Sequence, residues 1–360
     1  MLIKELNAEL KKIMPENIAF DWDNVGLLIG DGQAEVGKVL LTLDVTPKAI
    51  NKAIQAKCNL ILSHHPLIFG KIASINNPLY LKLIRAGIDV ICMHTNLDSI
   101  PTGVNKVLAE KLNLSKLSFI SPEGGNKVYW GKVFVPNTEF ERLKDGIISA
   151  GAGLYEKYQA AYLSQEVRGS FLPKANAKPA IGKPGVNEVV DEIELQFRVD
   201  KANLAKVISA IKKIHPYERP VYHFYEITDD NINYGSGMVG ELASELTLEE
   251  FAKFVKEKLN APFVKMWTAS KSKSVIKRVS VCGGSGSFLI NKATAISDVI
   301  VTGDVTYHTM LDSSLPIIDA GHFFTENPVL EYLSEILQQY KIKYVKLTSQ
   351  EHEISNLKLI

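Results

Sequence analysis

Short apolar runs that end in polar residues, each followed by a segment of helical periodicity, constrain the fold of this chain more than any other feature. Between residues 38 and 113, "VLLTLDVT", "NLILSHHP" and "IDVICMHTNLD" alternate with helical patterns. The alternation returns after about residue 235, in "RVSVCGGSGS", "DVIVTGDVTYHTML" and "LPIIDAGHFF". This strand–helix rhythm predicts an α/β domain with a mostly parallel sheet and helices on its faces.

The segment between these two stretches has a different texture. Three strand-like runs, "KVYWGKVFVP", "NEVVDEIELQFRVD" and "ERPVYHFYEIT", alternate with two helical patterns, and the Gly- and Pro-rich "GSFLPKANAKPAIGKPG" predicts a loop. Such an order is typical of a ferredoxin-like α+β domain. With 360 residues available, two domains are expected. We expect residues 1–124 and 236–360 to form a discontinuous α/β domain and residues 125–235 to form an inserted ferredoxin-like domain.

Composition narrows the class of protein. The 41 Lys and Arg nearly balance the 40 Asp and Glu, so nothing global indicates a nucleic-acid or membrane-surface partner. No run approaches the ~18 apolar residues of a membrane span, and the first residues lack the features of a signal peptide. Cys58, Cys92 and Cys282 are scattered and odd in number, which is typical of buried thiols in a reducing cytoplasm. A cytoplasmic protein with a small-molecule partner is expected.

Histidines and acids gather directly after the apolar runs. His64 and His65 follow "LIL", and His94 follows "VICM". Because the carboxyl ends of parallel strands meet at one edge of a sheet, where open α/β folds bind ligands, we expect these side chains to line a cleft. Neighbouring side chains of an extended chain point in opposite directions, so His64 and His65 cannot share one strand face in a core. The residues expected at this edge are His64, His65, His94, Asn96, Asp98, Gly303, Asp304, Tyr307, His308, Asp319, His322 and Glu326.

The chemistry of this set favours metal binding. Histidines with Asp98 and Glu326, and without cysteine, suit Zn²⁺, Fe, Mn²⁺ or Co²⁺. The diverging His64 and His65 could each ligate a different ion, and a carboxylate could bridge two ions about 3.5–4 Å apart. Glu326 follows His322 by four residues, a spacing that brings side chains together on a helix.

Each motif also has a purely structural interpretation. The "HHP" stretch could be a solvated turn, Asp98 could cap the following helix, and His322 with Glu326 could be a surface pair on the approach to a helix that Pro328 begins. The joint occurrence of one ligand class at four strand ends favours the metal site over these alternatives.

Two further motifs are less specific. The glycine-rich turn at Gly283, Gly284 and Ser285 follows a strand, so its amide groups could hold a phosphate. It lacks the lysine and spacing of a P-loop, and a close strand–helix crossing explains it equally well. In "FDWDNVGLLIG", we expect Asn24 to be a turn or helix-cap residue. The alternative is that Asn24 borders the cleft.

The motifs together resemble the GTP cyclohydrolase I type 2 homologues, also called the Nif-three-like family. They are "WDNVGLLIG", "LILSHHPLIF", "HTNLDSIPTGVN", "VCGGSGS", "VTGDVTYHTML" and "DAGHFFTE", in the family's order. The middle segment is similar to the PII- and CutA-like insert of the longer bacterial form. In "IHPYERPVYHFYEI", Glu218 is kept, while Arg219 stands where the family usually carries a second glutamate.

The resemblance implies a dinuclear centre with two divalent metal ions per chain. It implies His65 and Asp98 on one ion, His64 and His322 on the other, and Glu326 as the bridge. It also implies a homo-oligomer, usually a hexameric ring.

A metal-dependent hydrolase acting on a nucleotide or related heterocycle is therefore the leading functional prediction. If the family name applies, GTP would lose its imidazole carbon as formate and give dihydroneopterin triphosphate. His308 or His94 would carry protons, and Gly283, Gly284, Ser285, Asn24 and Tyr307 would contact the substrate. The alternatives are a two-metal phosphoesterase and a metal-binding regulatory or scaffold protein without turnover.

Overall fold

The computed structural model describes residues 1–123, 128–155, 158–227, 234–269, 274–348 and 350–356. The chain divides into a discontinuous unit, Met1–Glu123 with Tyr234–Ile360, and a middle unit, Gly124–Asn233. The strands, in chain order, are β1 (Gly26–Ile29), β2 (Lys38–Thr42), β3 (Leu60–Ser63), β4 (Asp89–Cys92), β5 (Ser115–Glu123), β6 (Val128–Pro136), β7 (Tyr162–Phe171), β8 (Glu188–Asp200), β9 (Tyr222–Ile227), β10 (Tyr234–Leu246), β11 (Lys265–Trp267), β12 (Ile276–Val281), β13 (Val299–Thr302), β14 (Ile317–Asp319) and β15 (Lys343–Lys346).

The helices begin and end where the sequence supplies capping residues. Thr46 accepts a hydrogen bond from the Ala49 amide at the start of the second helix, with Pro47 in its first turn. The α-helices are α1 (Ile3–Ile13), α2 (Pro47–Gln55), α3 (Pro78–Ala86), α4 (Thr95–Ser99), α5 (Val104–Lys111), α6 (Phe140–Ser149), α7 (Lys201–Ile214), α8 (Leu248–Leu259), α9 (Ile290–Thr294), α10 (Tyr307–Asp312), α11 (His322–Glu326) and α12 (Val329–Gln339). No helix within the described ranges is both long and apolar enough to cross a membrane.

A five-stranded sheet of order β1-β4-β3-β2-β15 forms one half of the discontinuous unit. Its four strands β4, β3, β2 and β15 are parallel, and β1 is antiparallel to β4. Leu41 and Leu62 pack against α1 and α12 on one face, while Leu40 and Ile61 pack against α2 and α3 on the other. Because both faces are covered, these strands are continuous apolar runs rather than alternating ones.

A six-stranded sheet of order β11-β14-β13-β12-β10-β5 forms the other half. The central strands β12, β13 and β14 are parallel, whereas β11, β10 and β5 pair antiparallel with their neighbours. Val301 belongs to the core with Phe251 of α8, and Ile300 belongs to the core with Ala293 of α9. The discontinuous unit is therefore a mixed α/β structure with two sheets, and only the first of them is mostly parallel.

The sequence patterns do not predict the long strand β10, because its glycines lower the strand propensity of the segment. A Cβ at Gly235 would lie 2.5 Å from the Ser121 carbonyl oxygen, and one at Gly240 would lie 2.9 Å from the Ser115 carbonyl oxygen. Glycine lowers strand propensity but allows the backbone of β5 to approach this closely.

The middle unit forms an antiparallel sheet of order β7-β8-β6-β9. Val133, Leu195 and Phe197 of this sheet pack against Leu143 of α6 and Val207 of α7. Along the chain the elements run strand, helix, strand, strand, helix, strand.

Candidate metal centre

Five side chains from the carboxyl ends of strands in both sheets meet in the discontinuous unit. His64 and His65 directly follow β3, and Asp98 lies in the short helix α4 after β4. His322 and Glu326 are the first and last residues of α11, which follows β14. The pair therefore occupies a short helix of its own, not the approach to the next helix.

The ligand atoms lie within hydrogen-bonding to ion-pairing distance of one another. Nε2 of His65 and Nε2 of His322 lie 3.0 Å and 3.1 Å from Oε2 of Glu326, and the two nitrogens are 3.3 Å apart. Nε2 of His64 lies 3.5 Å from Oδ1 of Asp98 and 3.8 Å from Oε1 of Glu326. Oε2 of Glu326 thus faces His65 and His322, whereas Oε1 faces His64, which in turn lies beside Asp98.

These distances differ from the pairing that the family resemblance implies. The resemblance pairs His65 with Asp98 and His64 with His322, whereas the structure places His65 beside His322 and His64 beside Asp98. The two adjacent histidines exchange partners, and Glu326 keeps the central position in both arrangements.

The other ring nitrogen of each histidine is held by a hydrogen bond. Such bonds fix the tautomer and the ring orientation of metal-binding histidines. The Nδ1 atoms of His64, His65 and His322 pair with Met93 O (2.9 Å), Asp44 Oδ1 (2.8 Å) and Asp304 Oδ2 (2.7 Å). Asp304 has a φ of 54°, a backbone conformation that is costly for a non-glycine residue and is kept where the surrounding structure requires it.

Three ligand atoms of the cluster are buried without a hydrogen-bond partner among the described residues. They are Nε2 of His64, Oδ1 of Asp98 and Oε2 of Glu326. Buried polar atoms are rarely left without a partner. Metal–nitrogen bonds of about 2.0–2.1 Å in a tetrahedron place two ligand atoms roughly 3.3 Å apart. The donor set, the unpartnered atoms and the 3.3 Å spacing of His65 and His322 therefore fit a metal ion.

The electrostatics of the cluster favour positive charge at its centre. Burial raises the pKa of Glu326, but the adjacent imidazoles of His322, His64 and His65 outweigh burial and hold it well below its usual range. Burial also opposes protonation of His65, yet Asp44 and Glu326 raise its pKa to about 10. In Asp98 burial dominates and raises the pKa of the carboxyl. The carboxylates that favour a proton on these imidazoles would also favour a metal cation at the same place.

His94 is the fourth histidine of this edge. A ligand atom of His94 lies within 4.8 Å of ligand atoms of His64 and His65, and His65, His322 and Glu326 form a second such group. The Nδ1 atom of His94 pairs with Oδ1 of Asp23 at 2.9 Å. A His/Glu cluster that could bind a metal ion is thus present, and His94 borders it.

The glycine-rich turn packs against the ligands. A Cβ at Gly284 would lie 2.2 Å from Oε1 of Glu326 and 3.1 Å from Nε2 of His322, so only glycine fits there. The amides of Gly283, Gly284 and Gly286 donate to side-chain oxygens of Asn105, Thr325 and Thr302. These hydrogen bonds occupy the amides of Gly283 and Gly284, which the sequence analysis proposed as phosphate-binding groups, and Ser285 remains exposed beside the cleft.

A cavity of about 810 Å³ opens beside the cluster and is lined by His65, His94, Asp98, His322 and Glu326. Its rim is aromatic, because Trp22, Phe69 and Phe288 line it while more than half exposed. Pockets of this size accommodate ligands as large as nucleotides.

Three predicted site residues lie elsewhere. Tyr307 and His308 are exposed on α10, where their rings contact each other, and neither lines the cavity. Asn24 donates from its side chain to the carbonyl oxygens of Ile68 and Gly70. It holds the segment that carries Phe69 at the cavity rim.

Sequence reasoning missed the residues that orient the ligands and line the rim. Asp44 follows β2 in "LTLDVT", the same kind of position that singled out the histidines. The aromatic residues Trp22, Phe69 and Phe288 carry no such signal, because each lies in a loop or a single helical turn.

The family model described as Duf34/NIF3 (NGG1p interacting factor 3) matches residues 1–356. The chain belongs to the Duf34/NIF3 family. It is 37% identical over 354 residues to a Staphylococcus epidermidis protein named "GTP cyclohydrolase 1 type 2 homolog", covering 96% of this chain and 95% of that protein. A Staphylococcus aureus protein of the same name is 38% identical over 349 residues, with 94% of both chains covered.

Solved structures of Duf34/NIF3 relatives agree with the fold. The Staphylococcus aureus protein SA1388 superposes with a TM-score of 0.80 at 33% identity, covering 100% of this chain and 99% of that one. A Bacillus cereus protein related to NIF3 gives a TM-score of 0.74 at 32% identity, with 98% of both chains covered. The predicted family is therefore confirmed over the whole length of the chain.

Proposed function

We propose that this Duf34/NIF3 chain binds two divalent metal ions through His64, His65, Asp98, His322 and Glu326 and uses them to hydrolyse a nucleotide or related heterocycle. The observation that carries the proposal is the orientation of the three imidazoles. Each is fixed through Nδ1, and the Nε2 atoms face one another and two carboxylates.

The arrangement of atoms favours two ions over one. His65 and His322 would hold one ion with Oε2 of Glu326, and His64 and Asp98 would hold the other with Oε1 of Glu326. The nitrogen and oxygen ligands suit Zn, Fe, Mn or Co. Ions bound there would supply Lewis acidity and lower the pKa of water towards neutrality.

The chain's own residues would handle protons and orientation. Because Nδ1 of His94 pairs with Asp23, its Nε2 is the nitrogen left to accept or donate a proton beside the ligands. His308 faces solvent away from the cavity, so we assign the proton carrier to His94. Catalytic histidines of this kind contribute about 10²–10⁴-fold to rate.

The cavity supports a planar heterocyclic substrate. Trp22, Phe69 and Phe288 at its rim offer flat apolar surfaces against which an aromatic ring can stack. The name shared by the staphylococcal relatives makes GTP the first substrate to test, with formate and dihydroneopterin triphosphate as products. Paired ions also suit phosphoryl displacement, so phosphate release is the competing outcome.

The proposal also covers the fold of the middle unit, the oligomeric state and the cellular location. The strand order β7-β8-β6-β9 with two helices on one face supports a ferredoxin-like domain over residues 125–235, similar to PII and CutA proteins. We propose a homohexamer, as in the family resemblance. Buried free Cys58, Cys92 and Cys282 support a cytoplasmic location.

Elemental analysis of wild type, His65→Ala and His308→Ala tests the metal centre, and incubation of metal-loaded wild type with GTP tests the reaction. We expect near two ions per chain in wild type and His308→Ala, and fewer in His65→Ala. Formate should appear with wild type and fall sharply in His94→Ala, which should keep its metal.

The outcomes separate the parts of the proposal. Bound metal without formate or phosphate would remove the hydrolase and leave a metal-binding regulatory or scaffold protein. Phosphate without formate would replace the cyclohydrolase with a phosphoesterase. Wild type that takes up no metal on reconstitution would refute the centre itself.

A further inference from the structure

We propose that the middle unit carries a second small-molecule site, which binds an organic ammonium ion with an apolar body through Glu192. A cavity of about 460 Å³ lies between residues of β6, β7 and β8 and the Gly- and Pro-rich loop of residues 172–187. Glu192 lies at this cavity together with Tyr217. This site belongs to a different unit from the metal ligands and does not depend on the proposed hydrolysis.

Glu192 is a buried carboxylate that forms no ion pair with the residues the structure describes, although Arg219 lines the same cavity. Its residue surface is only 8% exposed, and no lysine, arginine or histidine within the described ranges forms an ion pair with it. Glu194, two residues along the same strand face, is buried to a similar extent but pairs with Nζ of Lys132 at 2.9 Å and accepts from Gln165 and Gln196. Buried charges are normally paired, so Glu192 indicates a cation that comes from outside the chain.

Tyr217 provides a second polar group, and its hydroxyl lies beside the Glu192 carboxylate. Its hydroxyl is buried and forms no hydrogen bond of good geometry with the residues that the structure describes. Burial, followed by the adjacent Glu192 carboxylate, raises the pKa of Tyr217, so the hydroxyl stays protonated. Its ring is held between Phe171 and His215, with centroids 6.1 Å and 4.9 Å away. The polar end of the cavity is therefore rigid before any ligand arrives.

The remaining walls determine the class of ligand. Phe134, Phe171, Ile181 and Val221 present apolar surface to the cavity, and the exposed residues Glu218 and Arg219 also line it. The loop that closes it is tied down, since the Lys178 amide donates to Oε2 of Glu218 at 3.1 Å. An ammonium group would pair with Glu192 while a hydrocarbon or aromatic body fills the apolar part, and an anion would be repelled by the same carboxylate.

Isothermal titration of the full chain, with EDTA in the buffer to keep the metal centre empty, tests this site. Phenethylammonium, phenethyl alcohol and hydrocinnamate are matched probes with a positive, neutral and negative end. A charge-assisted hydrogen bond should make the ammonium bind about ten- to a hundredfold more tightly than the alcohol, and hydrocinnamate should not bind.

Substitutions in the cavity test whether the probes bind beside Glu192. Glu192→Gln should reduce the affinity for phenethylammonium to that of the alcohol, whereas Glu194→Gln should leave the preference intact. Ala177→Phe, which retains Glu192 but fills the cavity, should remove binding of both probes and still decides the question if Glu192→Gln fails to fold. Equal affinity for all three probes, no heat with phenethylammonium, or binding that survives both Glu192→Gln and Ala177→Phe would overturn the proposal.

Discussion

Buried histidines occur in both units, and they use their ring nitrogens differently. In the middle unit, Nε2 of His215 bonds to the carbonyl oxygen of Phe134 at 2.7 Å, and Nδ1 accepts from the Tyr217 amide at 3.1 Å. In the discontinuous unit, His64 is fully buried, its Nδ1 bonds to Met93, and its Nε2 has no hydrogen-bond partner among the described residues.

The difference separates a structural histidine from a candidate metal ligand. Both nitrogens of His215 are satisfied by backbone groups, so its environment is complete without any further atom. In the metal cluster the protein satisfies one nitrogen of each imidazole and points the other at carboxylates and at other imidazoles. Burial alone therefore does not single out the candidate ligands; His64, His65 and His322 share an anchored Nδ1 and an Nε2 that faces a carboxylate.

Replacing Glu326 should produce the largest effect. In Glu326→Gln, one amide oxygen replaces two carboxylate oxygens that face His64, His65 and His322. Loss of one partner from a buried charged cluster costs about 3–5 kcal/mol, so metal affinity should fall more than hundredfold. Chelator competition measures it, with His215→Gln as the buried control that should bind metal like wild type. Equal losses in both variants would end the distinction between the two kinds of histidine.

Removing an orienting partner should have a smaller effect on the metal. Asp44→Asn and Asp304→Asn retain every ligand but weaken the hold on Nδ1 of His65 and of His322. Such changes typically cost about 10–100-fold in metal affinity. We expect the larger loss in Asp44→Asn, because Asp44 is less exposed than Asp304. Unchanged affinity in both variants would show that Nδ1 anchoring has no part in metal binding.

Truncating His215 should affect stability and leave the metal untouched. His215→Ala removes the donor to Phe134 and the acceptor of the Tyr217 amide, which should cost about 1–3 kcal/mol. Hydrogen exchange of the β6 and β8 amides reports this locally, and His308→Ala, at an exposed site, should stay within about 0.5 kcal/mol of wild type. A loss of metal in His215→Ala, or exchange rates like those of wild type, would contradict the comparison.

The smallest predicted effect is on the free energy of unfolding at acidic pH. Burial lowers the pKa of His215, although Glu192 and Glu139 act in the opposite direction. Because the unfolded chain then binds more protons than the folded one, the free energy of unfolding should decrease as the pH drops below about 6.5. Exchange of the β6 amides, corrected for intrinsic rates, should show a steeper decline in wild type than in His215→Gln. Parallel profiles would assign the acid sensitivity to another group.

The family and the residues at the strand ends could be predicted from sequence, because strand ends in a parallel sheet converge whatever the loop details. The orienting contacts could not: Asp304 acts on His322 from 18 positions away through a left-handed backbone. The same holds for the turn at Gly284, whose amide bonds to Thr325, 41 residues along the chain. His94 and His308 looked equivalent as proton carriers, and only the packing of α10 places His308 in solvent.

The strand order of the five-stranded sheet also bears on how the protein is made. Strand β15, residues Lys343–Lys346, pairs with Lys38–Leu41 of β2, and His65 meets His322 across 257 positions of sequence. During synthesis, the edge of β2 that pairs with β15 would stay unpaired until residues 343–346 have been made. Contacts this distant slow folding, and all five proposed ligands are present only after Glu326 has been synthesised. Metal loading would therefore follow the synthesis of Glu326, and an ion bound there would connect segments that lie 257 positions apart in the sequence.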